Sequence, residues 1–362
     1  MKMFASKNFK LTILGSSIFY LSFLGQVFSQ DINQILTRMQ EANALVKYKG
    51  TLTTVLINNP FNKVYRYKIE NYGTILRREE LITTGSEKEI DYDDGKNLWR
   101  FFPKQNLVIK ETSKITRNLE VKNKEILKHV KENYQIKILK AYKANNRNGY
   151  EVLFLPITGD RPKQIFWIDS ETGIPFKIEK YGANDELLSV TSFSEIDFQV
   201  TPKKENLFLM VPPNTEVNEV KEEFNLTLEQ AKDKMGNEIS IPSFIPNGFI
   251  LNNIILRSLG GDKTVHFFYT DGLSSFSVFQ KNLAKNTNTI KTPYGNLNVQ
   301  EKSALITSSG TMNIVSLKSE HITKTVMGEV FKDSILKIAE SLTPIQEVGK
   351  DPIEVVNSPQ EK

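Results

Sequence analysis

Few residues in this 362-residue sequence could carry out covalent chemistry, and none of them stands in a complete catalytic motif. The chain has no Cys and three His, which excludes thiol catalysis, thiolate zinc sites and disulfide bonds. Residues 334–337 (SILK) have the S-x-x-K spacing of penicillin-recognising enzymes, but the S-D-N and K-T-G elements that assist such a serine are absent. A serine near the start of a helix explains the same residues. We therefore predict a protein that is not an enzyme and uses no cofactor.

Two further segments are partial matches to ion-binding or phosphate-binding motifs. Asp91–Gly95 (DYDDG) is one residue short of a calcium loop and lacks its final Glu. Gly260–Thr264 (GGDKT) lacks the Gly-Lys pair that holds a phosphate. Asp-Gly and Gly-Gly pairs between strands are strong turn signals, so we predict a hairpin turn at each position. His129, His266 and His321 lie too far apart for a histidine metal motif, and no metal site is predicted.

Positive charge is concentrated in one segment. Between residues 104 and 147 there are twelve Lys or Arg and four Glu. Clustered charge of one sign favours encounter with a partner of the opposite sign, although a solvated helix face would give the same pattern. The candidate residues for an anionic partner lie in a helix predicted within this segment: Lys122, Lys124, Lys128 and Lys131.

Large apolar residues recur at alternate positions of three predicted strands. If the sheet is curled, such residues face its concave side, where they either fill a core or line a cavity for acyl chains. The sequence leaves both interpretations open. The candidates for a lipid cavity are Trp99, Phe101, Val152, Phe154, Ile165 and Trp167.

The N-terminus has the features of an export signal. Lys2, Lys7 and Lys10 precede an apolar run at 11–25, and residues 27–29 (VFS) fit a cleavage site. We predict a signal peptide at 1–29, with an uncleaved anchor as the alternative. No Cys follows the apolar run, so a lipoprotein anchor is excluded. Because an exported protein rarely meets nucleic acid, acidic protein segments or lipid phosphates are the expected anionic partners.

The spacing of apolar residues predicts helices at Asp31–Tyr48 and Ile115–Val130. Strands with a period of two are predicted around them, at 51–57, 64–71, 74–82, 98–102, 149–155, 163–168, 176–181 and 187–198. Short antiparallel strands with two helices indicate a curved meander whose apolar face is covered by helices. This first domain is predicted to span residues 30–213.

The remainder is predicted to form a smaller α+β unit. Residues 214–237 have the composition of a linker that contains a short helix. Strands and a closing helix follow in a domain predicted at 238–343. Residues 344–362 are polar and Pro-bearing, which predicts a disordered tail.

Two predicted hairpins resemble a known superfamily. Residues 94–103 (DGKNLWRFFP) and 167–176 (WIDSETGIPF) resemble the hairpin motifs of the LolA/LolB lipoprotein carriers. Residues 36–39 (LTRM) and 48–52 (YKGTL) resemble the start of the RseB/MucB family, the periplasmic regulators of sigma-E signalling.

The C-terminal unit favours RseB/MucB over LolA, which has no such domain. Residues 245–249 (IPNGF), 269–279 (YTDGLSSFSVF) and 326–330 (VMGEV) resemble signatures of the RseB/MucB C-terminal domain in the same order. Phe331 departs from the pattern, because the family usually has Pro there.

The resemblance implies an α+β protein with a half-open antiparallel β-barrel covered by helices, then a smaller α+β domain. It also implies a periplasmic protein that binds the periplasmic part of a membrane anti-sigma factor and releases it when lipids or mislocalised lipoproteins bind. A LolA-like carrier of lipoproteins or lipids is the alternative, and a structural module is a third. The residues that the resemblance assigns to the partner contact are Tyr269, Asp271, Gly272, Leu273 and Phe276.

Overall fold

A computed structural model describes residues 32–57, 62–73, 77–82, 89–113, 123–144, 147–201, 209, 211–235, 239–282, 289–292, 295–298, 304–318 and 322–344. The predicted signal peptide lies outside these residues. The helices are α1 (Ile32–Leu45), α2 (Asn123–Asn133), α3 (Leu228–Met235) and α4 (Lys332–Glu340), with a 3-10 turn at Pro103–Gln105. Within the described ranges, no helix is both long and apolar enough to cross a membrane.

The first sheet is built mainly from consecutive antiparallel strands. Its members are β1 (Tyr48–Leu56), β2 (Lys63–Asn71), β3 (Arg77–Ile82), β4 (Glu89–Asp93), β5 (Asn97–Phe102), β6 (Leu107–Thr112), β7 (Tyr134–Ala144), β8 (Arg147–Pro156), β9 (Lys163–Asp169), β10 (Pro175–Tyr181), β11 (Leu187–Asp197) and β12 (Glu216–Glu219). The order is β12-β6-β5-β4-β3-β2-β1-β11-β10-β9-β8-β7, so β12 and β7 are the outer strands. The predicted antiparallel sheet is confirmed, while closure into a half-open barrel stays a prediction.

Helices α1 and α2 cover one face of this sheet, as the apolar spacing of α1 predicted. Ile35 and Leu36 of α1 and Val130 of α2 pack on Phe154 and Phe166 of β8 and β9. A second cluster joins the other end of α1 to β1, to β2 and to the turn between β9 and β10, through Ala42, Tyr48, Ile69 and Ile174. The helices stay in place because their apolar faces are buried against the sheet.

The second sheet is antiparallel and smaller. Its strands are β13 (Lys221–Glu223), β15 (Ile250–Leu259), β16 (Asp262–Thr270), β17 (Ser275–Asn282), β20 (Ala304–Ser309), β21 (Met312–Lys318) and β22 (Ile322–Gly328), in the order β13-β15-β16-β17-β22-β21-β20. Two separate two-stranded sheets pair β14 (Ser240–Pro242) with β23 (Leu342–Pro344) and β18 (Thr289–Thr292) with β19 (Gly295–Asn298). Pro344 therefore belongs to a strand rather than to the predicted tail, and 345–362 lie outside the described residues.

The segment predicted as a linker is partly structured. Strand β12 pairs in parallel with β6 of the first sheet, and β13 pairs with β15 of the second. Helix α3 follows with a capping box. The backbone N–H of Gln230 donates to Thr227 Oγ1 at 3.1 Å, and the backbone N–H of Thr227 donates to Gln230 Oε1 at 2.9 Å. The linker residues thus extend both sheets in turn, and the domain boundaries stay predictions.

Both predicted hairpin turns are present. Asp94 lies between β4 and β5, and its Oδ1 accepts the N–H groups of Lys96 and Asn97 at 2.8 and 2.6 Å. Gly95 has a φ of 82°, in the left-handed region that glycine tolerates. Gly260 and Gly261 connect β15 to β16 with φ values of 57° and 91°.

The turn between β9 and β10 depends on one buried carboxylate. Asp169 Oδ1 accepts the N–H and the hydroxyl of Thr172, each at 2.7 Å, and Oδ2 accepts Arg147 Nε at 2.7 Å. Burial alone would raise the pKa of Asp169, but the hydrogen bonds from Arg147 and Thr172 hold it below the ordinary value of 3.8.

Replacing Asp169 with Asn should therefore lower the free energy of unfolding at pH 7 by about 1.5–3 kcal/mol, the range for hydrogen bonds to a charged group. Because the folded pKa is lowered, the contribution of the carboxylate is complete above the unfolded pKa and is lost as the pH falls through the folded value. Urea denaturation of the parent and of Asp169→Asn between pH 7 and pH 3 measures the difference in their free energies of unfolding. A difference that stays constant down to pH 3 would contradict the assignment.

Candidate functional site

The turn between β16 and β17 rests on helix α2 of the first unit. Asp271 Oδ1 accepts the N–H groups of Leu273 and Ser274 at 2.8 and 2.7 Å, which fixes the turn. Gly272 has a φ of +99°, and a Cβ added there would lie 2.8 Å from the carbonyl oxygen of Ile126 in α2. A residue without a side chain is therefore required for this close approach.

A buried arginine joins the first unit to this turn. The side chain of Arg161 is 1% exposed, and its Nη1 donates to Asp271 Oδ2, which is 0% exposed. Its Nε donates to Asp160 Oδ1 at 2.7 Å, and Nη2 donates to the carbonyl oxygen of Asn247. The guanidinium lies 4.3 Å from the ring centroid of Phe249. Besides its neighbour Asp160, Arg161 thus contacts two distant segments of the chain, at 247–249 and at Asp271, by charge, hydrogen bond and ring stacking.

Residues at the junction of α2 and β7 complete the network around Asp271. The Tyr134 hydroxyl donates to Asp271 Oδ2 at 2.7 Å and lies 3.2 Å from Ser274 Oγ. Burial, and then the charge of Asp271, raises the pKa of Tyr134 far above its ordinary value, so the phenol keeps its proton. Asn133 Nδ2 lies 3.1 Å from both the Gly248 and Asp271 carbonyl oxygens, to which it donates. We call these contacts of Asn133, Tyr134, Arg161 and Asp271 the domain junction.

Further contacts hold the two units together away from Asp271. Arg257 of β15 pairs with Glu111 of β6 at 2.5 Å, and Lys180 of β10 pairs with Glu329 at 2.5 Å. The Phe331 N–H donates to the Asp160 carbonyl oxygen at 2.8 Å. A proline at this position would have no N–H to donate, so the departure seen in the sequence adds a hydrogen bond between the units.

The residues predicted to contact a partner are occupied within the protein. Tyr269 and Phe276 are 0% and 1% exposed, and their rings stack at 4.6 Å in the second core. Asp271 lies in the domain junction, while Gly272 and Leu273 contact α2 and the first core. In this conformation these residues pack inside the protein and the turn joins the two units, so a contact between them and a partner stays a prediction.

The residues predicted to line one lipid cavity lie on two faces of the sheet. Val152 and Phe154 are fully buried beneath α1 and α2. Directly opposite residues on antiparallel strands share a face, and Val152 pairs with Phe166 rather than with Ile165 or Trp167. Ile165 and Trp167 therefore lie on the opposite, outer face, and this part of the prediction is wrong.

Trp99 and Phe101 also lie on the outer face. The register followed from β9 through β10, β11, β1, β2, β3 and β4 to β5 places them on the side of Ile165 and Trp167. Lys110 lies 5.3 Å from the Trp99 ring centroid, and Lys177 lies 4.5 Å from that of Trp167. Sequence reasoning missed Phe166 and Ile168, which do lie on the helix-covered face.

The predicted basic patch is described in part. Lys122 lies outside the described residues, and the side chain of Lys124 is not among those described. Lys128 and Lys131 are exposed on α2, and Lys128 pairs with Glu132 at 3.7 Å. No cluster of three or more His, Asp or Glu that could hold a metal ion occurs in the part of the chain that the structure describes.

Comparison with known proteins identifies a family model that matches the first unit and solved structures with a similar fold. The family model of the MucB/RseB N-terminal domain matches residues 31–211. A crystal structure of MucB in complex with MucA(peri) is 17% identical, with a TM-score of 0.55 over 87% of this chain and 99% of that chain. The Pseudomonas aeruginosa MucA/MucB complex is also 17% identical, with a TM-score of 0.53 over 86% of this chain and 98% of that chain. Among curated proteins, none matches significantly.

Proposed function

Because the chain belongs to the MucB/RseB family, we propose that it is a periplasmic regulator that binds the periplasmic part of a membrane anti-sigma factor. The single observation that carries the proposal is the family match over residues 31–211. The likeness of fold to MucB extends through the C-terminal unit and covers 99% of that protein, which itself was solved in complex with MucA(peri). Export to the periplasm through the predicted signal peptide belongs to the same proposal.

We further propose that acyl chains of lipids or mislocalised lipoproteins weaken this binding. The apolar face beneath α1 and α2 supports the idea, because Val152, Phe154, Phe166 and Ile168 form a continuous buried surface there. A lipid that binds only when the helices move away favours that conformation by its differential affinity. The partner then loses affinity by the same coupling free energy, since linkage is reciprocal.

Contacts of the Asp271–Ser274 turn support a coupling between lipid binding beneath α1 and α2 and binding of the partner. The turn contacts α2 at Ile126 and Val130, and its Leu273 packs on the helix-covered core. Displacement of α2 by an acyl chain would therefore disturb the turn and the buried Arg161–Asp271 pair. Any partner that depends on the relative placement of the two units would be released by the same movement.

A reconstituted cleavage assay tests the proposal. Residues 30–362 are added to a membrane anti-sigma factor in vesicles together with the protease that starts its degradation. We expect the chain to slow cleavage and a synthetic triacylated lipopeptide to restore it, whereas the same peptide without acyl chains should have no effect. Unchanged cleavage in the presence of the chain would contradict the regulatory function.

The same assay separates a lipid carrier from a regulator. A carrier would bind the triacylated lipopeptide and transfer it between vesicles without any effect on cleavage. Protection from cleavage that the lipopeptide does not reverse would leave the partner proposal intact and overturn the lipid proposal.

A further inference from the structure

Strand β7 presents an open sheet edge. It pairs with β8 on one side and stands at the end of the strand order of the first sheet. Among the described residues no strand pairs with its other side, so alternate N–H and C=O groups of β7 point away from the sheet. Such an edge is a template for an added strand.

Exposed lysines lie along this edge and at the adjoining end of α2. Lys137 and Lys143 of β7 and Lys131 at the end of α2 are exposed, and none forms an ion pair with another described residue. Lys140 pairs with Glu151 at 3.0 Å. Leu139 is 44% exposed beside these lysines, which gives the edge an apolar contact as well.

We propose that β7 binds an extended acidic segment of a partner protein, which adds to the sheet beside Gln135–Ala144. Main-chain hydrogen bonds would supply affinity. Lys137 and Lys143 lie on opposite faces of the sheet, because they pair with Leu153 and Asn148 of β8, so the added segment would place carboxylates on both of its faces. The lysines disfavour a second copy of this chain, because two β7 edges would place like charges opposite one another. This surface is distinct from the domain junction, and the inference goes beyond the proposed function.

The register shift between Ile138 and Lys140 sets a limit on the added strand. A bulge at an edge interrupts regular pairing, so one continuous ladder cannot extend along all of β7. Bulges and lysines at edges also discourage indiscriminate strand addition. The bulge and the lysines together disfavour the addition of neutral or basic strands. A short acidic segment is the added strand that they favour.

The test uses a fluorescent ten-residue peptide in which pairs of Glu alternate with pairs of Thr, so that both faces of an added strand carry carboxylates. Residues 30–362 should bind it at low ionic strength, with slower hydrogen exchange at the amides of β7. Combined Lys137→Glu and Lys143→Glu substitutions should weaken binding at least about tenfold. A variant with Lys232→Glu and Lys263→Glu in the second unit has the same change in net charge and should bind as the parent does.

Several results would overturn the inference. The first is no binding of the peptide, and the second is binding without protection of β7 or with equal loss in both double variants. The third is equal binding of a peptide N-methylated at alternate amides, which cannot complete a strand ladder. Lysine-dependent binding to phosphatidylglycerol vesicles without peptide binding would identify a lipid surface and would likewise overturn it. None of these results depends on whether the chain binds an anti-sigma factor.

Discussion

Replacing Arg161 with Ala should lower the free energy of unfolding by about 3–5 kcal/mol, the cost of breaking a buried ion pair by removing one partner. The substitution leaves the carboxylate of Asp271 with 0% exposure and without its guanidinium. It also removes the hydrogen bond to the Asn247 carbonyl oxygen and the stacking on Phe249. Urea denaturation followed by circular dichroism measures the change.

Two variants serve as controls for the Arg161 result. Lys281→Ala breaks an exposed pair with Asp262 and should cost at most about 1 kcal/mol. Combining Arg161→Met with Asp271→Leu should cost less than the sum of the two single substitutions, because no unpaired charge stays buried. A loss for Arg161→Ala no larger than for Lys281→Ala would show that the domain junction does not stabilise the protein.

Replacing Phe154 with Ala should also cost about 3–5 kcal/mol, as expected for a phenylalanine in a packed core. Phe154 is 0% exposed and its ring centroid lies 4.9 Å from that of Phe166, beneath α1 and α2. The same denaturation experiment measures it.

Leu153, the residue before Phe154, serves as the matched control for Phe154→Ala. Leu153 points to the outer face and is partly exposed, so Leu153→Ala should cost clearly less. If Phe154 instead lined an open lipid cavity, its truncation would remove few packing contacts and would cost about as much as Leu153→Ala. That outcome would contradict the packed core and would favour a preformed cavity.

Much of the fold was predictable because local patterns and tertiary structure agree. The spacing of Ile35, Leu36 and Met39 predicted the buried side of α1, and the Asp-Gly and Gly-Gly pairs predicted hairpin turns. The resemblance to RseB/MucB, built on the opening segment and three motifs of the C-terminal unit, is confirmed by the family match over residues 31–211.

Strands β4, β6 and β7 of the first sheet were among those missed, and in β4 and β7 charged residues hide the period of two. Strand β4 reads EIDYD, and Asp91 is tolerated there because Arg100 on the neighbouring strand pairs with it at 3.0 Å. Strand β7 reads YQIKILKAYKA, in which alternating isoleucines pack under α2 while lysines face solvent. Strand β6 (Leu107–Thr112) follows a 3-10 turn and was missed with them. Asp, Glu and Lys are depleted in strands, so strand propensity alone argues against a strand at these positions.

The site was harder to predict because it depends on long-range pairing. Arg161 follows a Gly-Asp turn, where a charged residue is normally exposed, and its partner Asp271 lies 110 residues further along the chain. The apolar residues of β8 and β9 were assigned to one face by type rather than by register. A shift of one residue moves every side chain to the other face, which explains the misplacement of Ile165 and Trp167.

The most direct test of the account is a calorimetric titration of residues 30–362 with the purified periplasmic segment of the anti-sigma factor encoded beside an extracytoplasmic sigma factor in the same genome. We expect saturable binding with a dissociation constant below about 1 µM, equivalent to about −8 kcal/mol. Absence of any complex at concentrations near 100 µM, with both proteins folded, would contradict the assignment of this chain as an anti-sigma-factor-binding regulator.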